Sequence, residues 1–484
     1  MSGPLAERLL AEPAVAAARE ALGAEAEAWI VGGTVRDALL GRAVTDVDVA
    51  VRGSPEAAAR AVGAAVRGPV FQLSDEHGTW RVLDRGRGWT FDASALQGRT
   101  IEQDLAQREF TVNAMAVPVG GGDLLDPTGG VADLEAGVLR VVGGPDLGSS
   151  SYALDALRPL RLARMAAELP LDPEPETERL TREAAPRVTE ASPERVFSEL
   201  RRLLVGKRAL HALELADRLG LMEAVLPEVA ALHGVEQSHF HHLDVYEHTL
   251  EVLRQEMELE SRLEEVFGDA AGELRRVLDE PLADEMTRGQ ALRLGALLHD
   301  IGKPATRGVL PNGRVTFIGH DAVGEEMIAA VGRRLRTSER LRTFVAKLTR
   351  HHLVLGFLVH ERPLSRRALY RYLTTCAPVE VEVTLLSCAD RLSTRGKNAE
   401  PAIAAHLELA REVMAEALRW RAEGPPALPL RGDELAAELG IEPGPELGAL
   451  IASLREARFA GEAGTREETL AVARRLRENG ADQP

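Results

Sequence analysis

The sequence predicts an α+β chain, with an α/β head followed by an all-helical body. Short β-prone runs fill residues 29 to about 145: "AWIVGG", "TDVDVAV", "RVLD", "WTFDAS" and "NAMAVPV", separated by Gly-rich turns. After "VLRVVGGPD" the pattern changes, and helical periodicity broken at Pro and Gly runs to the end. Ala, Leu, Arg and Glu dominate and favour helix, while aromatics are only 4%, so the core must be aliphatic. At 484 residues the chain is too long for one core. Four segments are expected: a head over 1–145, a helical neck over 146–235, a His-rich helical segment over 236–400 and a C-terminal helical segment over 401–484. The break "RAEGPPALPLRGDEL" marks the last boundary.

The formal net charge is -17, which argues against a general polyanion binder. Local basic stretches exist nonetheless. "ERVFSELRRLLVGKR" holds Arg195, Arg201, Arg202, Lys207 and Arg208, and "GRRLRTSERLRTFVAKLTR" is similar. Each taken alone reads as a solvated helix face. The two cysteines, Cys376 and Cys388, lack a metal motif around them. No apolar run is long enough to span a bilayer and the N-terminus lacks a signal-peptide core, so a cytoplasmic protein without membrane partners is expected.

The chemistry concentrates first in "WIVGGTVRDALLGRAVTDVDVAV", residues 29–51. On a strand, Asp46 and Asp48 share one face while Val47 and Val49 pack into the core. Two adjacent carboxylates repel, and a divalent cation with hard-oxygen preference, Mg²⁺, offsets this. Gly32 and Gly33 end the preceding strand before a helix start, where missing β-carbons let backbone N–H groups approach a phosphate. Thr34 adds a hydroxyl and Arg36 a cation. The segment reads as a triphosphate cradle beside a metal site, the arrangement used in nucleotidyl transfer.

This combination resembles the nucleotidyltransferase superfamily that includes DNA polymerase β. More narrowly it resembles the class II tRNA nucleotidyltransferases (CCA-adding enzymes) and bacterial poly(A) polymerases. Further motifs follow in order: "DLAQREFTVNAMAV", "DPTGGVADLEAGVLR", "LDALRPLRLARMAAEL" and "SPERVFSELRRLL". The resemblance covers about residues 29–235. It implies that Arg108 and Asn113 contact ribose and phosphate. It also implies that Asp155 and Arg158 read the incoming base, with Arg161 and Arg164 beside them among the nucleotide-binding residues. Asp92 in "WTFDAS" is the candidate third carboxylate. The implied partners are tRNA, CTP and ATP.

The chain departs from the family pattern at three places. Leu154 stands where a Glu usually braces the base-reading Arg. Gln107 and Glu109 replace an Arg and an Asp. Only "ALQGRTIEQ" separates "FDAS" from "DLAQRE", where full CCA-adding enzymes carry a flexible loop. The short connection resembles members that add CC without the terminal A. The expectation is therefore CCA addition or, in restricted form, CC addition with a separate A-adding enzyme. The alternatives are a poly(A) polymerase, or a hydrolase whose head only binds RNA or nucleotide.

A second constellation lies downstream: His248, the pair His299-Asp300 in apolar "LGALLHDIGKP", His320, His351, His352 and Asp390. Burying ionisable groups without partners is costly, and imidazole with carboxylate suits a transition metal or Mg²⁺. The order resembles an HD-type metal-dependent phosphohydrolase domain, which implies water activation for phosphoester hydrolysis. Of the adjacent histidines, His352 is the favoured ligand over His351. His239, His241 and His242 are candidate phosphate contacts in a loop.

Overall fold

The computed structural model describes residues 9–74, 78–84, 86, 88–237, 243–394 and 399–481. His239, His241 and His242 lie outside these. The chain divides into two compact units, residues 1–225 and 226–484.

In the first unit, α1 (Pro13–Leu22) leads into β1 (Ala28–Val31), α2 (Gly33–Leu39), β2 (Asp46–Val51) and α3 (Pro55–Val66). The strands β3 (Val70–Ser74), β4 (Thr79–Asp84) and β5 (Trp89–Ala95) follow, then α4 (Ile101–Leu105) and β6 (Ala116–Pro118). The strands form one six-stranded sheet in the order β3-β4-β5-β2-β1-β6. The β2–β5 pair is parallel, and its neighbours pair antiparallel. A parallel pair needs a crossover, which α3 and the β3–β4 hairpin supply. Ser54 caps α3 by accepting from the Ala57 amide, and Pro55 suits its first turn.

Alternation along β2 decides what the two sheet faces do. Val47 and Val49 are fully buried in a cluster with Ile30, Phe91, Ala59 and Val62. Asp46 and Asp48 necessarily project from the opposite face. After the sheet, α5 (Arg158–Glu168), α6 (Pro193–Val205) and α7 (Ala209–Arg218) pack in the same unit. Helix α5 buries Leu160, Leu162, Ala163 and Ala167. Its arginines 158, 161 and 164 recur every third residue, which keeps them on one flank.

Among the described residues, the second unit is helical apart from short two-stranded ribbons. Helices α8 (Val245–Ser261), α9 (Arg288–Leu298), α10 (His320–Arg334), α11 (Glu339–His351), α12 (Arg366–Cys376) and α13 (Glu380–Leu392) surround the His-rich residues. Capping boxes start two of them, Asp244 with Glu247 on α8 and Thr287 with Gln290 on α9. Helix α14 (Ala399–Glu423) follows, then α15 (Gly432–Leu439), α16 (Pro445–Phe459) and α17 (Arg466–Ala481), which share a core of Leu435, Leu450, Leu454 and Val472. Among the described residues, no helix is long and apolar enough to cross a membrane.

Candidate functional site

The parallel register of β2 and β5 sets Asp48 beside Asp92 and Asp46 beside Thr90. Three carboxylates thus meet on one sheet face. Thr90 Oγ1 donates to Asp46 at 2.6 Å. Asp92 takes both oxygens to Arg81, at 2.7 and 2.6 Å, across the antiparallel β4–β5 pair. Asp48 has less compensation. Burial and the neighbouring Asp92 push its carboxyl up to about 6, against the pull of Arg108. A site that strains to keep an acid ionised fits a divalent cation.

The turn before α2 shapes the adjoining cavity of about 310 Å³. Gly32 has φ +67, and a β-carbon there would stand 3.0 Å from Arg108 Nη1. Arg108 is in turn held by Asp104 at 2.8 and 3.0 Å, a buried acid that the sequence reading passed over. Two expectations change here. The Thr34 hydroxyl is not directed to a ligand: it donates to Asp46 O at 3.0 Å and accepts from the Asp48 amide at 2.9 Å. It is buried and ties the turn to the acid-bearing strand. Arg36 is partly committed, donating to Asp37 and, at 2.7 Å, to Asn113 Oδ1. Asn113 Nδ2 passes the connection on to Glu109 at 2.8 Å. Arg164 and Arg202 complete the cavity wall.

A second cavity of about 460 Å³ shares Arg108 and Glu109 with the first and is lined by Asp155, Arg158, Arg161 and Arg195. Asp155 and Arg158 face one space from different local structures. Helix α5 begins at Arg158, and Asp155 precedes it, accepting from the Leu157 amide at 3.0 Å. Asp155 pairs with Arg195 at 2.7 Å, and Arg161 stands 4.0 Å away. Arg158 donates to Ser151 O at 3.0 Å, so backbone braces it where Leu154, 58% exposed, offers nothing polar. Glu109 is the anionic centre between the cavities. Burial pushes its carboxyl up, but Arg161 and Arg158 with the Asn113 bond outweigh this and hold it at about 2. Arg161 and Arg164 both reach Glu199 on α6, at 3.1 and 2.5 Å.

Three cations of the basic stretch on and just after α6 are spent in such pairs. Arg195 goes to Asp155, Arg202 to Glu168 and Arg208 to Asp172. In the second basic stretch Arg334 pairs with Glu228 and Arg350 with Asp321.

In the second unit, six predicted ligands converge from different helices. His248, His299 and Asp390 form one group whose ligand atoms lie within 4.8 Å of each other; Asp300, His320 and His352 form another. Asp300 joins them, with His299 Nε2 at 3.1 Å and His320 Nε2 at 3.4 Å. His299, His320 and His352 each place Nδ1 against the carbonyl three residues back, Ala296, Phe317 and Thr349, at 2.6–2.8 Å. A carbonyl only accepts, so Nδ1 carries a proton and Nε2 is the nitrogen left to face the cluster. His299 Nε2 and both Asp300 oxygens are buried without a well-aligned hydrogen bond. Ligand atoms held this close, with ion-pair neighbours but no aligned hydrogen bond, fit a bound metal. Burial pushes His352 down to about 3, while Asp300 more than offsets burial at His299 and raises it.

His351 does not join the cluster. It is the last residue of α11 and lines a neighbouring cavity, because one residue along a helix turns the side chain by about 100°. Two further groups were not foreseen. Lys303 stands 2.6 Å from Asp300 and donates to Gln237 at 2.7 Å; its place in "HDIGKP", three residues after Asp300, was the available signal. In the same motif, a β-carbon on Gly302 would lie 2.2 Å from His320 O, so glycine lets two ligand-bearing segments touch.

A carboxylate-lined cleft on a mixed sheet, with a helical imidazole–carboxylate centre downstream, defines a nucleotidyltransferase joined to an HD domain. Residues 28–140 match the Poly A polymerase head domain, residues 171–232 the probable RNA and SrmB-binding site of polymerase A, and residues 245–395 the HD domain. The A-adding tRNA nucleotidyltransferase of Deinococcus radiodurans is 35% identical over 93% of this chain and 96% of its own length. The CC-adding tRNA nucleotidyltransferase of Thermus thermophilus is 36% identical over 92% of each. The multifunctional CCA protein of Verminephrobacter eiseniae is 32% identical over 89% of this chain and 98% of its own. The fold is that of the Thermotoga maritima CCA-adding enzyme solved with tRNA, at TM-score 0.60, 20% identity and 97% coverage of both chains. The chain belongs to the tRNA nucleotidyltransferase family, whose head and HD domains use divalent metals.

Proposed function

We propose that the chain adds cytidines to the 3′ end of tRNA from CTP and stops at CC, leaving the terminal A to a separate enzyme. The observation that carries the restriction is the connection from β5 to α4, only residues 96–100. It has no room for the flexible loop that full CCA addition is expected to need. The likeness to the A-adding relative supports the second reading, in which ATP is the substrate.

Asp46 and Asp48 would hold Mg²⁺, with Asp92 as a neighbouring carboxylate kept in place by Arg81. The bound metal supplies an activated 3′ hydroxyl and stabilises the departing pyrophosphate. The residues of the chain do the rest. Backbone at Gly32 and Gly33 lets the triphosphate lie close. Arg36 and Arg108 bind its oxygens, the latter aimed by Asp104. Asn113 fixes Arg36 and orients the sugar. Asp155 and Arg158 present donor and acceptor edges to the base, and Arg161 and Arg164 hold the anionic network around them. In the HD domain, His248, His299, Asp300, His320, His352 and Asp390 would hold a divalent metal for phosphoester hydrolysis, with Lys303 placed to meet a phosphate oxygen.

The deciding experiment uses tRNA transcripts ending before CCA, after C and after CC. Each is incubated with Mg²⁺ and CTP or ATP and resolved at single-nucleotide length. CTP addition that stops at CC is expected. Efficient ATP addition to the CC transcript would overturn the restriction. Products longer than three nucleotides would indicate a poly(A) polymerase, and no addition would leave the HD domain as the working activity.

A further inference from the structure

The HD cluster opens into two cavities rather than one. A cavity of about 650 Å³ reaches His320 and Lys303. A second, of about 300 Å³, reaches His352 and Asp390. The cavities lie on either side of the contact between His320 Nε2 and His352 Nε2, which are 3.3 Å apart, and Leu353 lines both. Both volumes fall in the range of small-molecule sites, roughly 300–1,000 Å³.

Their walls differ in chemistry. The larger cavity is walled by Phe317, Ile318, Val354 and Phe357, with Arg314 and Lys303 beside them. Ile318 is 83% and Phe357 68% exposed, large apolar surfaces next to a charged centre. The Lys303 ammonium lies 5.5 Å from the Phe317 ring. Apolar faces with cations alongside suit a stacked base attached to a phosphate. The smaller cavity is lined by Ser387, Arg391, Thr394, His360 and His406. His406 is 4% exposed and its Nε2 lies 3.2 Å from Ser387 Oγ. These hydroxyl, imidazole and guanidinium groups suit a ribose and the polar edge of a base.

From this pair of cavities we infer that the HD domain acts on a phosphodiester with two nucleoside arms, one stacked against Phe357 and Ile318 and the other in the Ser387–His406 cavity. The inference rests on the phosphohydrolase reading of that centre. Water adds to phosphorus, the P–O bond to one arm breaks, and that arm leaves as an alcohol carrying the proton. The products are a nucleoside monoester and a nucleoside. A monoester would fill only one of the two cavities.

The test reads binding where the arm stacks. The full chain carrying F357W, with Mn²⁺ present, is titrated with a dinucleoside methylphosphonate, whose linkage resists hydrolysis, and with a one-armed nucleoside methylphosphonate. The expected result is quenching of the introduced indole by both, with the two-armed compound bound about tenfold tighter. Adding H360A, an exposed position on the smaller cavity, is expected to remove that advantage and leave one-armed binding unchanged. Equal affinities, an advantage that survives H360A, or no quenching by either compound would overturn the inference. Phosphate release from a nucleoside 2′-phosphate by the metal-loaded chain tests the phosphohydrolase reading separately. A chain that releases phosphate but binds both probes equally would lose the two-armed substrate and keep the hydrolase.

Discussion

The head and the HD domain both gather carboxylates for a divalent metal, yet they gather them differently. In the head the acids stand side by side on two parallel strands and look into an open cleft. Asp46 is exposed, Asp48 partly buried, and the nearby cations are already paired with other acids. In the HD domain Asp300 is 1% exposed and surrounded by imidazoles and Lys303. Consequently burial and a like charge raise Asp48, whereas His299 and Lys303 overcome burial and hold Asp300 well below the carboxylate range. An open cleft leaves its acids short of compensation. An enclosed centre supplies that compensation from the protein.

The largest effects should separate the two sites outright. Asp48→Asn is expected to lower CTP addition by about a thousandfold or more while phosphate release by the HD domain is kept; single-nucleotide gels and a phosphate assay read both. Asp300→Asn should do the reverse, with CTP addition retained as the control that the chain is folded. Loss of both activities in either variant would mean that the sites are not independent. Within the head, Arg158→Ala should cut the kcat/KM preference for CTP over UTP by about 10- to 100-fold, the size of one bidentate base contact. An unchanged ratio would move base reading away from Asp155 and Arg158.

Acid should distinguish the sites more gently. The folded value of Asp48, about 6, lies above its ordinary 3.8. Without metal, this group therefore favours the folded state at low pH and loses that contribution as pH rises from about 4 to 6. Mg²⁺ must displace the proton, so its affinity should fall about tenfold per pH unit below 6. Calorimetric titration between pH 5 and 7 measures this, and a flat profile would contradict it. The smallest effect concerns Thr34→Val, which leaves the Asp48 amide and Asp46 carbonyl without their shared hydroxyl. A loss of about 1–3 kcal/mol in chemical denaturation is expected, with weaker Mg²⁺ binding if β2 shifts.

Much of this was legible in the sequence, for a physical reason. Period-two alternation in "TDVDVAV" fixes which side chains leave the core, so Asp46 and Asp48 followed from local geometry. His-Asp inside an apolar run announced a buried charged centre. What was not legible depended on partners far along the chain. The Asp48–Asp92 contact needs the parallel register of two strands separated by a hairpin, and the Arg81 partner of Asp92 needs the next strand. The Thr34 hydroxyl looked available because its acceptor and donor lie in β2, across the intervening loop. That Asp155 and Arg158 share a cavity depends on a turn ahead of α5, which starts only at Arg158, with Asp155 accepting from the Leu157 amide. Arg195, Arg202, Arg208, Arg334 and Arg350 looked like free charge because their glutamate and aspartate partners are distant in sequence.

Most imidazoles of the HD centre share one further property. Three of them are latched by a carbonyl three residues earlier in their own segment, so each ring's orientation is written into its local backbone and not into the arriving ion. Such a centre is a rigid gauge. Cations that match its aperture should enter without recruiting side chains, and those that do not should be refused on size and ligand preference. Changing the ion would then alter how well the centre works while leaving the surrounding helices where they are.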